Sequence, residues 1–444
     1  MSHVFLYVVE AGLRGKDTSF APTTFTFLRV CRRWNKVAIA SPQLWVWWIP
    51  GSFKAWHMFN SRSKDAPLFL TWREDLESED TVWMKSETPK RIRQLDLSGT
   101  TDQFECILNA LDPRSLSTTS SIRLRVLGPK DREHLTHFFS FPFPKLSRLD
   151  VESSPPDPTS SIFVTSNLTS LKLSIPHNDD RYYTQSQLLQ VLQQNRNLRQ
   201  LEFEAGGLPL AGDSGGLVPV LLPHLVDLKL RGTNEVIDRF VDLVCMSSPL
   251  HKISIYFQHD YHHDTEPLVC TMRKLLTAYY GCKELERRSK VSHFVAWSTS
   301  GAISAGDHLT HPTYSLELAF QGDKDELFQK VIPLFPLDHV YDCTASGLDF
   351  ATDAWRGILL RTESLLHLRL GDMEPESVLN ALGSNDGGAY GESILTIVID
   401  RLFFYCRPRS TCFPQAKITV VRSHRILRSG PRRVDRRGHK EVRP

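Results

Sequence analysis

One short pattern recurs along this chain: an apolar residue, two others, and then two apolar residues separated by one. The copies are IRQLDL (92–97), LSRLDV (146–151), LTSLKL (168–173), LRQLEF (198–203), LVDLKL (225–230), LHKISI (250–255), LLHLRL (365–370) and ILTIVI (394–399). The central copies start at 146, 168, 198, 225 and 250, which gives steps of 22, 30, 27 and 25 residues. The alternation that ends each copy is typical of a β-strand with one buried face. Because one strand cannot bury that face alone, we expect the copies to stack.

Helical segments separate several of these strands. SQLLQVLQQN (186–195) and NEVIDRFVDLVCM (234–246) carry apolar residues at helical spacing. Strand, turn, helix and return form one coil of a solenoid, and leucine-rich repeats have a period of about 20–29 residues. The sequence therefore predicts an α/β fold, in which residues 51–421 form an irregular leucine-rich-repeat solenoid of parallel strands and outer helices. Residues 281–312 and 321–350 are its least regular parts, and we interpret them as insertions or incomplete coils.

The first fifty residues have a different pattern, which predicts a small helical module over 1–50. Apolar residues recur there at the spacing of one helical stripe. They are Phe27, Val30, Cys31, Trp34, Val37 and Ala38. Ser41 and Pro42 end this helix and begin another, with serine as N-cap and proline at the first helical position. The second helix is expected to return Leu44 and Trp45 to the same core.

The segment FLRVCRRWNKVAIASPQLW (27–45) resembles the second half of an F-box domain, as found in fungal, mushroom-type F-box proteins. The matching residues are Val30, Cys31, Arg32, Trp34, Ala38, Ser41, Pro42, Leu44 and Trp45. The next segment, FKAWHMFNSRSKDAPLFLTW (53–72), resembles the part that follows the box in these proteins, where a helix leads to Ala-Pro-Leu and a first strand.

The resemblance implies a substrate-recognition adaptor with no covalent chemistry of its own. F-box domains are three-helix modules that dock on the Skp1 subunit of a Skp1–cullin–F-box (SCF) ubiquitin ligase, while the rest of the chain binds a protein substrate. By this resemblance, six residues would form the core of the module or its docking face, and the sequence does not divide them between these roles. They are Phe5, Val30, Cys31, Trp34, Leu44 and Trp45.

The start of the chain departs from the family pattern, which has Leu-Pro and a carboxylate ahead of the first helix. MSHVFLYVVE is similar to the middle of that helix, so we expect the first helix to be truncated. Two alternatives stay open: the reading frame extends upstream of Met1, or docking on Skp1 is weakened. A second hypothesis follows, in which the chain is a protein-binding repeat scaffold that no longer engages a ligase and keeps the helical segment as a cap.

Other motifs point to no cofactor, metal or nucleic acid. AGDSGGLV (211–218) contains the string around the serine nucleophile of chymotrypsin-like proteases, but no histidine partner segment accompanies it, so a glycine-rich turn is expected. QHDYHHDTE (258–266) has ligand chemistry for zinc, but no second cluster at metal-site spacing. The arginines between 29 and 33 alternate with the apolar stripe, which favours a solvated helix face over a reader of DNA.

Cysteine usage and charge predict an intracellular protein with a basic tail. The eight cysteines include no C-x-x-C pair, and no signal peptide or membrane span is apparent, so we expect a soluble protein of the cytoplasm or nucleus. Residues 422–444 contain nine cationic residues and two acidic ones, a net charge of +7, which leaves −4 for the rest of a chain with +3 overall. This composition predicts a disordered tail.

Overall fold

The computed structural model forms two compact units. Unit 1 consists of Met1–His293 and Ser300–Pro336, and unit 2 of Phe294–Thr299 and Leu337–Pro444. The structure describes residues 30–48, 53–72, 91–100, 102–104, 113–127, 133–153, 155–175, 183–205, 218–245, 250–257, 266–280, 293–297, 302–306, 315–319, 330–335, 337, 340–346, 351–362, 365, 367–371, 376–383 and 396–399. The predicted tail, 422–444, lies outside these residues.

Unit 1 contains most of the predicted strands and helices. Its helices are α1 (Arg32–Ile39), α2 (Phe53–Ser63), α3 (Glu133–Phe139), α4 (Ser161–Val164), α5 (Gln185–Gln194), α6 (Asn234–Leu243) and α7 (Glu266–Tyr280). Its 3-10 helices are η1 (Pro42–Trp45), η2 (Pro113–Thr118) and η3 (Ile332–Leu334). Its strands are β1 (Trp47–Trp48), β2 (Leu68–Trp72), β3 (Ile92–Gly99), β4 (Ser121–Val126), β5 (Arg148–Glu152), β6 (Ser170–Ile175), β7 (Gln200–Ala205), β8 (Val220–Leu221), β9 (Asp227–Gly232), β10 (Val244–Cys245), β11 (Lys252–Phe257), β13 (Ala302–Gly306) and β14 (Ser315–Ala319).

The strands of unit 1 stack in the order expected of a solenoid. Strands β1, β2, β3, β4, β5, β6, β7, β9, β11 and β14 lie side by side in chain order, and every pair of neighbours is parallel. The predicted helix 186–195 is present as α5, and the helix predicted over 234–246 is present as α6, which ends at Leu243 where β10 begins. The predicted α/β repeat fold is therefore confirmed. Strands β8 and β10 form a separate parallel pair.

Two ladders of apolar side chains form the core under this sheet. One ladder passes through Leu95, Ile122, Leu149, Leu171, Leu201, Leu228 and Ile253. The other passes through Leu97, Leu124, Val151, Leu173, Phe203, Leu230 and Ile255. Each of these side chains is at most 2% exposed. Burial of a leucine-sized side chain contributes about 1.5–3 kcal/mol, so these ladders dominate the cohesion of the repeats.

A second set of hydrogen bonds joins the turns that precede the strands. The carbonyl of Ser120 accepts from the backbone N–H groups of Ser147 (2.9 Å) and Arg148 (3.1 Å), and from Ser147 Oγ at 3.1 Å. In the next coil, the carbonyl of Ser147 accepts in the same way from Thr169 and Ser170. The carbonyls of Thr169, Arg199 and Val226 continue the backbone part of this series. Successive coils are thus held together before each strand begins.

The segments with the least regular sequence contain strands that pair in two different orientations. In unit 1, β13 pairs in antiparallel orientation with β14, which interrupts the series of parallel strands. In unit 2, β15 (Asp342–Ser346) pairs in parallel with β16 (His367–Gly371), and β16 with β17 (Thr396–Ile399). The interpretation of 321–350 as an insertion or incomplete coil is therefore wrong for β15. Unit 2 also contains β12 (His293–Trp297), α8 (Thr352–Arg361) and α9 (Glu376–Gly383).

Across the described parts of the chain, no helix combines the length and the apolar character needed to span a bilayer.

Candidate functional site: a charged ladder on the parallel sheet

The structure divides the six residues that the F-box resemblance singled out. Leu44 and Trp45 are buried, at 3% and 0% exposure, whereas Val30 is 59% exposed. Cys31 is exposed and Trp34 is half-buried. Phe5 lies outside the described residues. The buried pair belongs to the local core, and the role of the others in docking stays a prediction.

Local chemistry explains how this segment folds. Helix α1 begins at Arg32, because Cys31 is its N-cap and Cys31 Sγ accepts from the Trp34 N–H at 3.5 Å. Pro42 starts η1 as predicted, but Ser41 Oγ does not cap it and donates to the Val37 carbonyl at 2.7 Å.

Trp45 connects three pieces of this segment. Its Nε1 donates to the Ala38 carbonyl at 2.8 Å, its ring meets Phe59 edge-on at 5.5 Å, and the Arg62 guanidinium lies 4.4 Å above it. Further along, β1 pairs with β2 through Trp47 and Phe69, whose rings stack at 4.3 Å. Residues on both sides of the predicted boundary at position 50 thus belong to one compact unit.

The polar face of the unit 1 sheet contains an in-register row of alternating charges, which we call the charge ladder. From β3 to β9 its members are Asp96, Arg123, Asp150, Lys172, Glu202 and Lys229. Each lies between two buried positions of its strand, so it projects from the opposite face of the sheet. Neighbouring strands are about 4.8 Å apart, and opposite charges at that spacing attract one another.

Lys172 lies within 4 Å of three carboxylates. Its Nζ lies 2.7 Å from Glu152 Oε1, 3.7 Å from Glu202 Oε1 and 3.8 Å from Asp150 Oδ1. Burial opposes its charge, but the hydrogen bond to Glu152 and the nearby carboxylates outweigh burial, so the pKa of Lys172 is raised. Burial likewise works against ionised Glu152, yet the contacts with Lys172, Arg123 and Arg125 lower the pKa of this carboxyl group.

Asp150 differs from the other carboxylates of the ladder. It is only 7% exposed, and burial raises its pKa despite the attraction of Lys172 and Arg123. Its Oδ2 lies 3.3 Å from Arg123 Nε, but its Oδ1 accepts no hydrogen bond from the protein. The ladder therefore contains one buried carboxylate oxygen whose hydrogen-bonding capacity is unused.

A groove of about 380 Å³ runs across β4, β5, β6, β7, β9 and β11 over the charge ladder. Its charged lining residues are Arg123, Arg148, Asp150, Lys172, Glu202, Asp227, Lys229 and Lys252. A second polar row beside it contains the ion pair of Glu204 and Arg231, at 3.1 Å. A face made of fixed, mutually oriented charges offers specificity to a macromolecular partner of complementary charge.

The other motifs with candidate chemistry lie almost entirely outside the described residues. Residues 211–217 of the glycine-rich string and 258–265 of the histidine-rich segment lie outside the described residues. Among the residues that the structure does describe, no group of three or more histidine, cysteine or acidic side chains is arranged to bind a metal ion. In unit 2, burial raises the pKa of the Cys343 thiol to about 12, so this cysteine is neutral at physiological pH.

The residues of the charge ladder are visible in the sequence, but they stand inside the apolar copies and were not noticed as a set. The ladder residue lies between the last two apolar positions of each copy, as in LDL, LDV, LKL, LEF and LKL. Read in order with Arg123 of β4, these residues alternate in sign from strand to strand.

Comparisons with known proteins do not name a family. No protein-family profile and no curated protein matches the chain. Among solved structures, it is similar to the crystal structure of the Rad7 and Elc1 complex from yeast, with 13% sequence identity over 94% of this chain and 90% of the other. The TM-score is 0.34, which is too low to support a conclusion about function or partners.

Proposed function

We propose that this chain is a non-catalytic adaptor that binds a target protein through the polar face of the unit 1 sheet. The observation that carries this proposal is the charge ladder, six side chains of strictly alternating sign in register from β3 to β9. Charges fixed by their neighbours reject partners of the wrong pattern, because a like charge opposite each one costs free energy.

The finer proposal is that the N-terminal segment docks the chain on a Skp1-like subunit of an SCF-type ubiquitin ligase, together with its cullin. The resemblance of residues 27–45 to an F-box supports it, and so do exposed apolar side chains on and next to α1. Val30 and Ile39 are 59% and 42% exposed there, while Trp34 and Val37 are half-buried. The adaptor would act by proximity, since it would bring the bound protein close to the ligase.

One observation favours the alternative, a repeat scaffold that engages no ligase. Strand β1 pairs directly with β2, and α2 packs against η1, so the N-terminal segment also covers the first coil of the solenoid. Repeat stacks need such terminal caps to protect the last layer of their core. Under this alternative, the chain binds its partner with no Skp1-like subunit attached.

A charge exchange tests the sheet face without removing an ion pair. Glu204→Arg combined with Arg231→Glu reverses the polarity of one pair in the second polar row. The matched control, Asp353→Arg with Arg356→Asp, reverses an exposed pair at 2.9 Å on α8 in unit 2. Proximity labelling with the full chain in cells should lose its specific targets by about tenfold with the first exchange and keep them with the second. Unchanged labelling by both variants would overturn the proposal.

A further inference from the structure

The groove over the charge ladder runs across the strands, so a ligand in it contacts one strand after another. Its second wall is a row of side chains two residues before the charge ladder on each strand, which we call the third polar row. From β5 to β11 the members of this row are in register, and they are Arg148, Ser170, Gln200, Asp227 and Lys252.

The width of the groove limits the conformation of its ligand. Residues i and i+2 of a β-strand are about 6.6 Å apart, so this distance separates the third polar row from the charge ladder. An α-helix with its side chains is about 10–12 Å wide and is too broad to lie between the two rows. An extended polypeptide is narrow enough, and its long axis would cross the strands of the sheet.

The charges that line the groove are paired within the protein, with two exceptions. The three cations that the charge ladder contributes each form an ion pair with a neighbouring carboxylate. In the third polar row, Asp227 Oδ2 accepts a hydrogen bond from Gln200 Nε2 at 2.9 Å. Arg148 and Lys252 are exposed, and within the part of the chain that the structure describes neither side chain forms an ion pair. Since the lining has five cationic residues and three carboxylates, its net charge is +2.

The two unpaired cations lie at the two ends of the third polar row. Arg148 is on β5 and Lys252 is on β11, so four strand spacings of about 4.8 Å separate them, about 19 Å in all. A continuous polyanion such as a nucleic acid would place phosphates beside the carboxylates of Glu202 and Asp227, which lie between these ends. The groove therefore favours a ligand whose negative charges are few and far apart.

The geometry points to an extended segment of the partner protein that lies across the strands and carries two carboxylates six residues apart. An extended chain advances about 3.3 Å per residue, so six residues span about 20 Å. An even separation also places both side chains on the same side of the segment. One carboxylate pairs with Arg148 and the other with Lys252. This inference rests on the proposed protein-binding role of the sheet face, and it is independent of docking on a ligase.

Fluorescence polarisation of labelled nonapeptides, titrated with the full-length protein, tests the inference. The probe carries glutamate at its second and eighth positions in a serine- and threonine-rich background. One control has glutamine at both positions, and the other has the composition of the probe but its two glutamates at the fourth and sixth positions. We expect the probe to bind about tenfold more tightly than either control, which is the combined effect of two exposed ion pairs.

Three results of this titration would overturn the inference. The first is no binding of the probe, and the second is equal binding of the two glutamate peptides, which would show that net charge alone attracts them. The third is an oligouridylate that displaces the labelled probe better than the unlabelled probe does, which would identify the groove as a site for a polyanion.

A double variant assigns the preference to the two cations. Arg148→Gln combined with Lys252→Gln should reduce binding of the probe to the level of the glutamine control. The matched control is Lys145→Gln combined with Arg199→Gln, which removes two exposed cations outside the groove lining and changes the net charge by the same amount. It should keep the tenfold preference. All four positions are exposed, so both variants should fold, and equal losses in the two variants would overturn the inference.

The outcome is separable from that of the proposed function. If the Glu204 and Arg231 exchange removes the labelled targets but the peptides show no preference, the inference fails and the adaptor role stands. If that exchange changes nothing and the peptides also bind without preference, both fail.

Discussion

Trp45 Nε1 donates a hydrogen bond to the carbonyl of Ala38 at 2.8 Å, and both residues are 0% exposed. This bond fixes η1 beneath the C-terminal turn of α1, while Phe59 and Arg62 bring α2 to the same indole ring. The fully buried Trp45, rather than the half-buried Trp34, therefore links the pieces of the N-terminal segment.

Two substitutions of Trp45 should destabilise the protein to different extents. Trp45→Phe keeps most of the buried ring but removes one of two hydrogen bonds that the Ala38 carbonyl accepts, the other coming from the Ser41 N–H at 3.2 Å, so we expect a cost of about 1 kcal/mol. Trp45→Ala also removes the ring and should cost about 3–5 kcal/mol. Urea denaturation followed by circular dichroism measures both values. Half-buried Trp34 serves as the control, and a Trp34→Ala variant that loses as much stability as Trp45→Ala would contradict this assignment.

Arg91 should stabilise the junction between α2 and the first long strand. Its guanidinium donates to the Ala66 carbonyl (2.8 Å), to Asn60 Oδ1 (2.6 Å) and to Ser63 Oγ (3.1 Å). Arg91→Met keeps the aliphatic stem but loses these bonds, so we expect a loss of about 2–3 kcal/mol in denaturation experiments. Arg93→Met, at an exposed position on β3, should change stability by less than about 0.5 kcal/mol. Equal effects of the two substitutions would show that the bonds of Arg91 contribute nothing.

Lys172 should contribute more to stability than the other lysine of the charge ladder. Lys172→Met leaves the carboxylates of Asp150, Glu152 and Glu202 without their shared cation, and we expect a loss of about 1–3 kcal/mol. Lys229 is 44% exposed, and among the described residues it forms an ion pair with one carboxylate, Glu202 at 2.8 Å, so Lys229→Met should cost less than about 1 kcal/mol. Thermal denaturation of both variants compares them, and a larger loss for Lys229→Met would reverse the order that the structure predicts.

The buried carboxyl group of Asp150 should make stability depend on pH. Because its pKa in the folded protein is raised above 3.8, its contribution is fully present below that value and is lost as the pH rises through the folded pKa. Asp150→Asn removes this loss, so the variant should gain stability relative to the wild type as the pH increases from 4 to 7, by up to about 1 kcal/mol. Glu152 interacts with Asp150 and shares its cationic neighbours, so the difference reports the coupled titration of both carboxyl groups. Denaturation at several pH values measures it. A variant that loses stability relative to the wild type as the pH rises from 4 to 7 would contradict a raised pKa of Asp150.

The sequence predicted the repeats well where their apolar residues are large. All eight leucine-type copies correspond to strands, because alternation and spacing are local properties. The strand β4 was not recognised as a copy of the repeat pattern, because Thr119 stands where the other copies have an apolar residue. Thr119 is nevertheless 0% exposed, since its Oγ1 donates to the Ile92 carbonyl at 3.1 Å. The strand β15 escaped because small Cys343 and Ala345 occupy its inner positions.

The candidate site was harder to predict from the sequence than the repeats, for a physical reason. The charges of the ladder are visible in the copies, but their partners depend on which strands are neighbours and in what register. Without β4, Asp96 and Asp150 would seem adjacent, and Arg123 between them would be missing. The unsatisfied oxygen of Asp150 depends on side-chain positions that no repeat pattern encodes. The division of the F-box-like residues into buried and exposed sets was likewise decided by tertiary packing.

The central claim is that this chain connects a target protein to a Skp1-like subunit. The most direct test is to co-express the full chain with such a subunit and to analyse the product by native mass spectrometry. The account predicts a one-to-one complex that persists in Leu360→Asp, on α8, and is lost in the double variant Val30→Asp, Ile39→Asp. All three positions are exposed, so each variant should fold. A folded wild-type chain that forms no complex with the subunit would contradict the account and favour the scaffold.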